Sequence, residues 1–402
     1  MSDSSALDGI RVLDFSWAIA GPWATTLLSF LGAEVIRIES QARLDITRRE
    51  MLWPLALAQP YDLPPNQGLA FNRVNLGKLS VTLNLSQPKA IELAKRLVRI
   101  SDVVLDNFQP GVMQRLGLDH EALRQVKPDI ITLSSSCRGG TGPERNYLGY
   151  APVSAALGGL AHITGYPDEP PSQTRVDPDI ISATAAALAI LASLYHRRRT
   201  GEGQHIDLSQ WEVISWLIGP TLMEYVMNRR NQERKGNRDD IMAPHGCYRC
   251  RGEDKWVSIA VATDEEWSAL CQAMGNPEWT MEQRFADPYL RWHNQEELDR
   301  HIEEWTQNYS PYEVMQILQG VGVAAVPSME GDDLVNDPHL RERGILVEVE
   351  HPEMDKFMVI GPPWKLSQTS ARIRRHAPLL GEHNRYVFGE LLGMGQQQID
   401  PV

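Results

Sequence analysis

The 402-residue chain has only four cysteines, Cys137, Cys247, Cys250 and Cys271. That is too sparse for a disulfide framework in a chain of this length. Cys247 and Cys250 have C-x-x-C spacing with His245 close by, but a structural zinc needs a further ligand at a recognisable spacing, and the sequence offers none. A redox pair would open a helix after a strand; this pair runs instead into a strand-like stretch, Trp256 to Val261, so the thiols read as ordinary and reduced. Excess positive charge is also lacking. The 39 Lys and Arg are outnumbered by 52 Asp and Glu, for a net charge of −13. That argues against nucleic acid as the main partner while leaving room for a local basic pocket. No apolar run reaches the roughly 18 residues of a membrane span, and Met1 to Ser5 lack the basic-then-apolar order of a signal peptide. These features fit a cytoplasmic protein without a membrane partner. Several catalytic signatures are missing too. The turn Ser16 to Pro22 holds one glycine and does not match G-x-G-x-x-G. There is no G-x-S-x-G elbow, and no pair of histidines forms H-E-x-x-H.

What is present is a repeated alternation of strand and helix. Ile10 to Phe15 reads as a strand, Trp23 to Leu31 as a helix closed by Gly32, and Ala33 to Glu39 as a second strand. Strand, helix, strand within about 30 residues is a βαβ unit and implies a parallel sheet. The pattern continues with strands at Ser80 to Leu85, Asp102 to Asn107, Asp129 to Ser134 and His205 to Leu208, with helices between them. This predicts a Rossmann-like, doubly wound α/β domain, whose ligands bind at the carboxyl ends of the strands. The loops after the strands then share one crevice: Phe15 to Ala20, Glu39 to Arg49, Asn107 to Gln109, and Ser135 to Gly139. Near residue 225 the character changes to a charged connector, one strand and three amphipathic helices. The expected organisation is a large α/β domain over 1–225, a smaller α+β domain over 226–330, and a return to the large domain over 331–402.

Basic residues gather at the predicted crevice: Arg43, Arg48, Arg49, Arg73, Lys78, Arg115 and Arg138. In an acidic chain this favours a phosphate-bearing ligand, although any one of them also fits an ordinary solvated face. Asp177-Pro178-Asp179 opens an alanine-rich helix through Tyr195 that ends at His196-Arg197-Arg198-Arg199. Acids at a helix start commonly serve only as caps, and Pro suits the first helical position. An aspartate there can also attack an activated acyl group to give an anhydride, with backbone N–H groups holding the oxyanion. The small side chains Ser182, Ala183, Ala186 and Ala187 would let a ligand or another backbone approach closely.

The chain resembles the class III CoA transferases, the formyl-CoA and carnitine-type enzymes that share a fold with α-methylacyl-CoA racemases. The resemblance covers nearly the whole chain. It is carried by Leu7 to Phe15 with Ala20-Gly21-Pro22, by Leu31 to Glu39, by Asn75 to Ser80, and by Asp106-Asn107-Phe108-Gln109-Pro110-Gly111. The stretch from His196 to Gln204 and the ending Ala377 to His383 complete it.

The family's catalytic aspartate precedes the His of the His-Arg segment by 17 residues, which here gives Asp179; Asp177 is left as the cap. The resemblance implies that Asp179 attacks a donor thioester to give an anhydride, that CoA then forms an aspartyl-CoA thioester, and that an acceptor carboxylate finally takes the CoA. Coenzyme A enters as part of an acyl-CoA substrate, and no metal is expected. The implied CoA contacts are Ile19 and Ala20, Asn75, Leu76, Gly77 and Lys78, Asn107, Phe108 and Gln109, Arg115, and Ser136, Cys137 and Arg138. Some members have Gln at the position of Ile19 and Arg at that of Ser40, so Arg43 or Arg48 is expected to replace the latter. His245 and Gly246 match a loop near the acyl pocket. By resemblance, succinyl-CoA is an expected donor and a substituted or aromatic succinate such as benzylsuccinate an expected acceptor. Two chains are expected to thread through each other as interlocked rings, as a homodimer or with a paralogous subunit. The alternatives are an acyl-CoA racemase or epimerase and a subunit of a heteromeric transferase. The racemase branch needs a His-Asp pair where this chain has Tyr150-Ala151, and a phenol is a poor substitute for an imidazole base.

Overall fold

The computed structural model describes residues 5–49, 64–172 and 177–399. The chain divides into two compact units. The larger holds residues 1–161, 173–231 and 340–402; the smaller holds 162–172 and 232–339. Residues 162–172, assigned to the large domain by sequence, thus belong to the smaller unit, because Arg234 donates to the carbonyls of His162 and Tyr166 and ties the two segments together.

The larger unit is built on six strands: β1 Arg11–Asp14, β2 Glu34–Glu39, β3 Leu79–Thr82, β4 Val103–Asp106, β5 Ile131–Ser136 and β6 His205–Ser209. They are parallel throughout and lie in the order β3-β2-β1-β4-β5-β6. Neighbouring side chains on a strand point to opposite faces, and each face has its own core. Leu13, Ile36, Val81 and Val104 pack on one side with Leu93, Ala94 and Leu97 of the Pro88–Arg99 helix. That helix buries Ala90, Leu93, Ala94, Leu97 and Val98, the i, i+3, i+4 spacing of one helical stripe. Val12, Val35, Val103 and Leu133 pack on the other side with the Ala20–Phe30 and Asp177–Thr200 helices. Fully burying one such aliphatic side chain contributes roughly 1.5–3 kcal/mol, so alternation along the strands drives both layers together. The sheet order reverses between β1 and β4, and this is the switch point at which open α/β sheets bind ligands.

The Asp177–Thr200 helix buries Pro178, Ser182, Ala183, Ala186, Ala187, Ile190 and Ser193. The small side chains anticipated as a close-approach surface receive the Ala20–Phe30 helix and the sheet. Among the described residues this is the one helix long and apolar enough to cross a membrane, and its buried face is part of the second core layer. Asp177, expected before the helix as its cap, is its first residue and is exposed.

In the smaller unit β7 His245–Arg249, β8 Trp256–Ala260 and β9 Ala324–Pro327 form an antiparallel sheet. Val257, Ile259 and Ala325 pack on the helices Asp264–Ala273, Gln295–Thr306 and Pro311–Gln319. The first and last of these start with full capping boxes, Thr263 with Glu266 and Ser310 with Glu313. The strands β10 Leu346–His351 and β11 Asp355–Ile360 pair as a hairpin in the larger unit.

Candidate active site

At the switch point the loops after β1 and β4 are locked to each other. The Asn107 amide oxygen accepts from the Trp17 N–H at 2.8 Å, and its nitrogen donates to the Trp17 carbonyl at 2.7 Å. Phe108 meets the Trp17 ring edge-on at 6.2 Å, and the Arg43 guanidinium lies 4.9 Å above the same ring. Ala18 takes φ 59°, a strained value for a residue with a β-carbon. Its N–H is held by Asp45 at 3.1 Å. The result is an aromatic ledge with an exposed cation. Trp17, central to it, was missed from the sequence because its role depends on a partner 90 residues away.

Beside the ledge lies a cavity of about 190 Å³. Its lining includes Asn107, Phe108, Gln109, Ser136, Cys137 and Arg138, six positions that the sequence singled out separately. The Ser136 hydroxyl is buried there without a hydrogen-bond partner. Arg138 pairs with Glu144 and is flanked by the rings of Tyr147 and Trp211. Gly149 closes the wall where no side chain fits, since a β-carbon would fall 2.2 Å from Cys137 Sγ. Ile19 precedes the Ala20–Phe30 helix at the N-cap, and Ala20 is buried as its first residue. Arg115 is exposed on the short helix Val112–Leu116, and among the described residues it has no carboxylate partner.

Other predicted contacts sit elsewhere. Lys78 is fully buried, and its ammonium donates to Asp14 at 3.0 Å, the Pro22 carbonyl at 2.8 Å and the Asn75 amide oxygen at 2.9 Å. Arg48 is equally buried, forked onto Glu39 at 2.7 and 2.6 Å and stacked 3.6 Å over Phe71. Both cations therefore face inward with their donors spent, so the phosphate and replacement roles expected for them do not match their placement. Asn75 and Leu76 are buried in the same turn. Gly77, at φ 79°, makes it possible by letting the backbone pass Ser29. His245 and Gly246 line a separate cavity of about 590 Å³ in the smaller unit, with the His245 ring on the Asn237 carbonyl at 2.7 Å. The four cysteines are free thiols, and burial pushes Cys250 and Cys271 up to about 11.

Asp179 stands in the first turn of the Asp177–Thr200 helix. Burial pushes its carboxyl up to about 6, against a smaller lowering by Gln210. The Gln210 amide nitrogen donates to Asp179 Oδ1 at 3.2 Å, the one side-chain hydrogen bond that Asp179 makes among the described residues. The other end of the amide accepts from the Ser154 hydroxyl at 3.2 Å, and Ser154 Oγ lies 3.3 Å from Cys137 Sγ at the cavity wall. A hydrogen-bonded chain thus runs from the cavity to the carboxylate. Gln210 follows β6 directly and opens the helix Gln210–Leu217, whose N-cap Ser209 accepts from the Glu212 N–H at 3.3 Å. A polar residue at a strand's carboxyl end was the only signal that pointed to it. Among the described residues no side-chain hydrogen bond falls on Asp179 Oδ2, and the carboxylate stands in the first turn of a helix, where the backbone dipole favours negative charge.

Tyr150 is exposed at the N-cap of the helix Ala151–Leu157. Comparison with known proteins identifies the family. A sequence model of CoA-transferase family III matches residues 7–384. The chain is 33% identical to succinyl-CoA–D-citramalate CoA-transferase of Chloroflexus aurantiacus, across 98% of this chain and 96% of that one. It is 31% identical to the beta subunit of succinyl-CoA–L-malate CoA-transferase of the same organism, with the same coverage of both chains. The crystal structure of a CAIB/BAIF family protein from Brucella suis superposes with a TM-score of 0.87 at 29% identity, covering 96% of this chain and 100% of that one. The chain belongs to CoA-transferase family III and is a CoA-transferase.

Proposed function

We propose that this enzyme moves CoA from succinyl-CoA to a substituted four- or five-carbon dicarboxylate, with Asp179 as the covalent nucleophile. The observation that carries the reading is the half-buried Asp179 carboxylate, held at one oxygen by Gln210 and linked through Ser154 to the cavity beside Asn107 and Phe108. The names of the two Chloroflexus relatives favour succinyl-CoA as donor and a hydroxylated dicarboxylate of the citramalate or malate kind as acceptor. An aromatic succinate such as benzylsuccinate is the competing acceptor, to be tested in the same panel. CoA lies along the ledge of Trp17, Phe108 and Arg43, its phosphates near Arg43 and Arg115, and the backbone of Ile19 and Ala20 faces the thioester. Lys78 and Arg48 serve the fold beneath.

A second chain is expected to complete the enzyme. The helix Gly219–Asn228 buries none of its residues, although it carries Leu222, Met223, Val226 and Met227. Leu188 and Tyr195, two turns apart on the long helix, are 68% and 64% exposed. Apolar surface of this kind marks an interface and suits the interlocked dimer of the family. A paralogous partner is the alternative, favoured by the relative that is a beta subunit.

The test is incubation of purified enzyme with succinyl-CoA, then hydroxylamine, then peptide mapping. The reading expects inactivation of the wild type and a hydroxamate on Asp179, with no hydroxamate in Asp179→Ala. A wild type that keeps its activity, or a label elsewhere, would overturn it.

A further inference from the structure

Gln210 makes the contact to Asp179, and its placement says more than that it holds a carboxylate still. We propose that the Gln210 side-chain amide is the oxyanion donor for attack at the aspartyl carbon, acting on Oδ1 while Oδ2 carries the covalent bond. This rests on Asp179 being the nucleophile.

The amide's orientation follows from its neighbours. Ser154 donates to Oε1 at 3.2 Å, which leaves the Nε2 hydrogens for Asp179. An ionised carboxylate only accepts, so the opposite orientation would place oxygen against oxygen. Ser154 is fully buried and Gln210 nearly so, and the Ser209 cap fixes the backbone beneath the amide. The donor is preorganised and poorly hydrated, the setting in which one hydrogen bond to a developing charge counts most.

The charge on Oδ1 changes through the reaction. In the first step Oδ2 bonds to the donor's carbonyl carbon, the C–S bond breaks, and its electron pair leaves with the CoA thiolate. Oδ1 becomes the aspartyl carbonyl oxygen of the anhydride and loses charge. In the second step the thiolate sulfur bonds to the aspartyl carbon, and the C–Oδ1 π pair moves onto Oδ1. Collapse re-forms that double bond and expels the donor acid with Oδ2. The acceptor carboxylate attacks the same carbon later and charges Oδ1 again. The Gln210 bond therefore weakens in the first step and strengthens in the next. Its ground-state length of 3.2 Å exceeds the roughly 2.7–2.9 Å of a tight charge-assisted bond, so it can shorten as the charge arrives.

The experiment is rapid mixing of the intact enzyme with succinyl-CoA, acid quenching, and mass measurement of the Asp179 peptide in wild type, Gln210→Ala and Gln210→Met. The second variant keeps the volume in case the first folds poorly, and thermal melting checks both. Both are expected to form the acyl anhydride at within about 10-fold of the wild-type rate and to convert it to the CoA thioester about 10²–10³-fold more slowly, so the anhydride accumulates. Ser154→Ala should shift the same ratio of adducts by about 10-fold, with the KM for donor unchanged, as expected of a positioning residue. Equal slowing of both steps, or turnover within about twofold of wild type, would overturn the proposal. A wild type without any adduct on Asp179 would remove the nucleophile reading itself and the proposal with it; a normal wild-type adduct with an unshifted ratio in the variants would remove the Gln210 role alone.

Discussion

Two groups of buried acids in the larger unit are treated in opposite ways. Beneath β1 to β3, Asp14, Glu39 and Asp45 share a buried cluster with Arg37, Arg48 and Lys78. Burial would raise Asp14 and Glu39, but their partners outweigh it: Lys78 and Arg37 hold Asp14 below its ordinary value, and Arg48, Arg37 and Ser80 do the same for Glu39. Lys78 itself is lowered to about 8 by burial, against the pull of Asp14, and stays charged at neutral pH. At the end of β6 the opposite holds. Asp179 is raised to about 6 by burial, and among the described residues the Gln210 amide is its one side-chain partner. Charge is neutralised where it supports the sheet, and among the described residues it has few partners at the proposed nucleophile. A raised value alone does not mark a nucleophile, however. Asp106 is also pushed to about 6 by burial, but Phe108 N–H and Ser134 occupy its two oxygens at 3.1 and 2.7 Å. Asp179 keeps one oxygen to spend.

The largest expected effect comes from removing that oxygen's nucleophilicity. Asp179→Asn should lower turnover by at least about 10⁴-fold, as loss of a covalent nucleophile does, with the fold intact by circular dichroism. The next separates the two groups through stability. Lys78→Met removes the nearest cation from Asp14, leaving Arg37 at 3.8 Å, and should cost about 3 kcal/mol in urea unfolding, whereas Asp179→Asn should cost nothing.

The third uses pH. The folded value of Asp179 lies above its unfolded 3.8, so the fold favours the protonated form. The stability penalty is absent below about pH 4, grows as pH rises, and is complete above 6. Asp179→Asn should therefore be more stable than wild type at pH 7–8, by at most about 2–3 kcal/mol, and equal to it near pH 4. Asp14 and Glu39 have the reverse sign: their contribution is present above the unfolded carboxyl value and lost as pH falls through their lowered folded values. A difference between variant and wild type that does not change with pH would break the contrast. The smallest effect is expected at the exposed rim. Arg43→Ala loses a cation–π contact of about 0.5–1 kcal/mol and should raise the KM for donor a few-fold with kcat unchanged.

The sheet was legible because each strand carries a short apolar run between turn residues, and a repeated βαβ pattern admits few topologies. The crevice followed from that order; Asp179 was separated from Asp177 only by the family resemblance, which sets its distance to His196. The polar cluster was not legible. Lys78 and Arg48 read as crevice cations because local sequence shows which loop a residue is on, not which way its side chain turns. Their partners Asp14 and Glu39 lie on neighbouring strands, and only the packed sheet brings them together. Gln210 showed only as a polar residue at a strand end, for the same reason: it lies 31 residues from the carboxylate it holds. Residues 162–172 changed units because Arg234 captures their carbonyls from a distant segment.

The most direct test of the central claim, that the half-buried Asp179 is the nucleophile, is the pH dependence of its first acylation. The rate at which succinyl-CoA labels the Asp179 peptide should fall as pH drops, with a midpoint near 6 where the carboxylate becomes protonated. A rate that is flat between pH 4.5 and 8, or a label carried by another residue, would contradict the account.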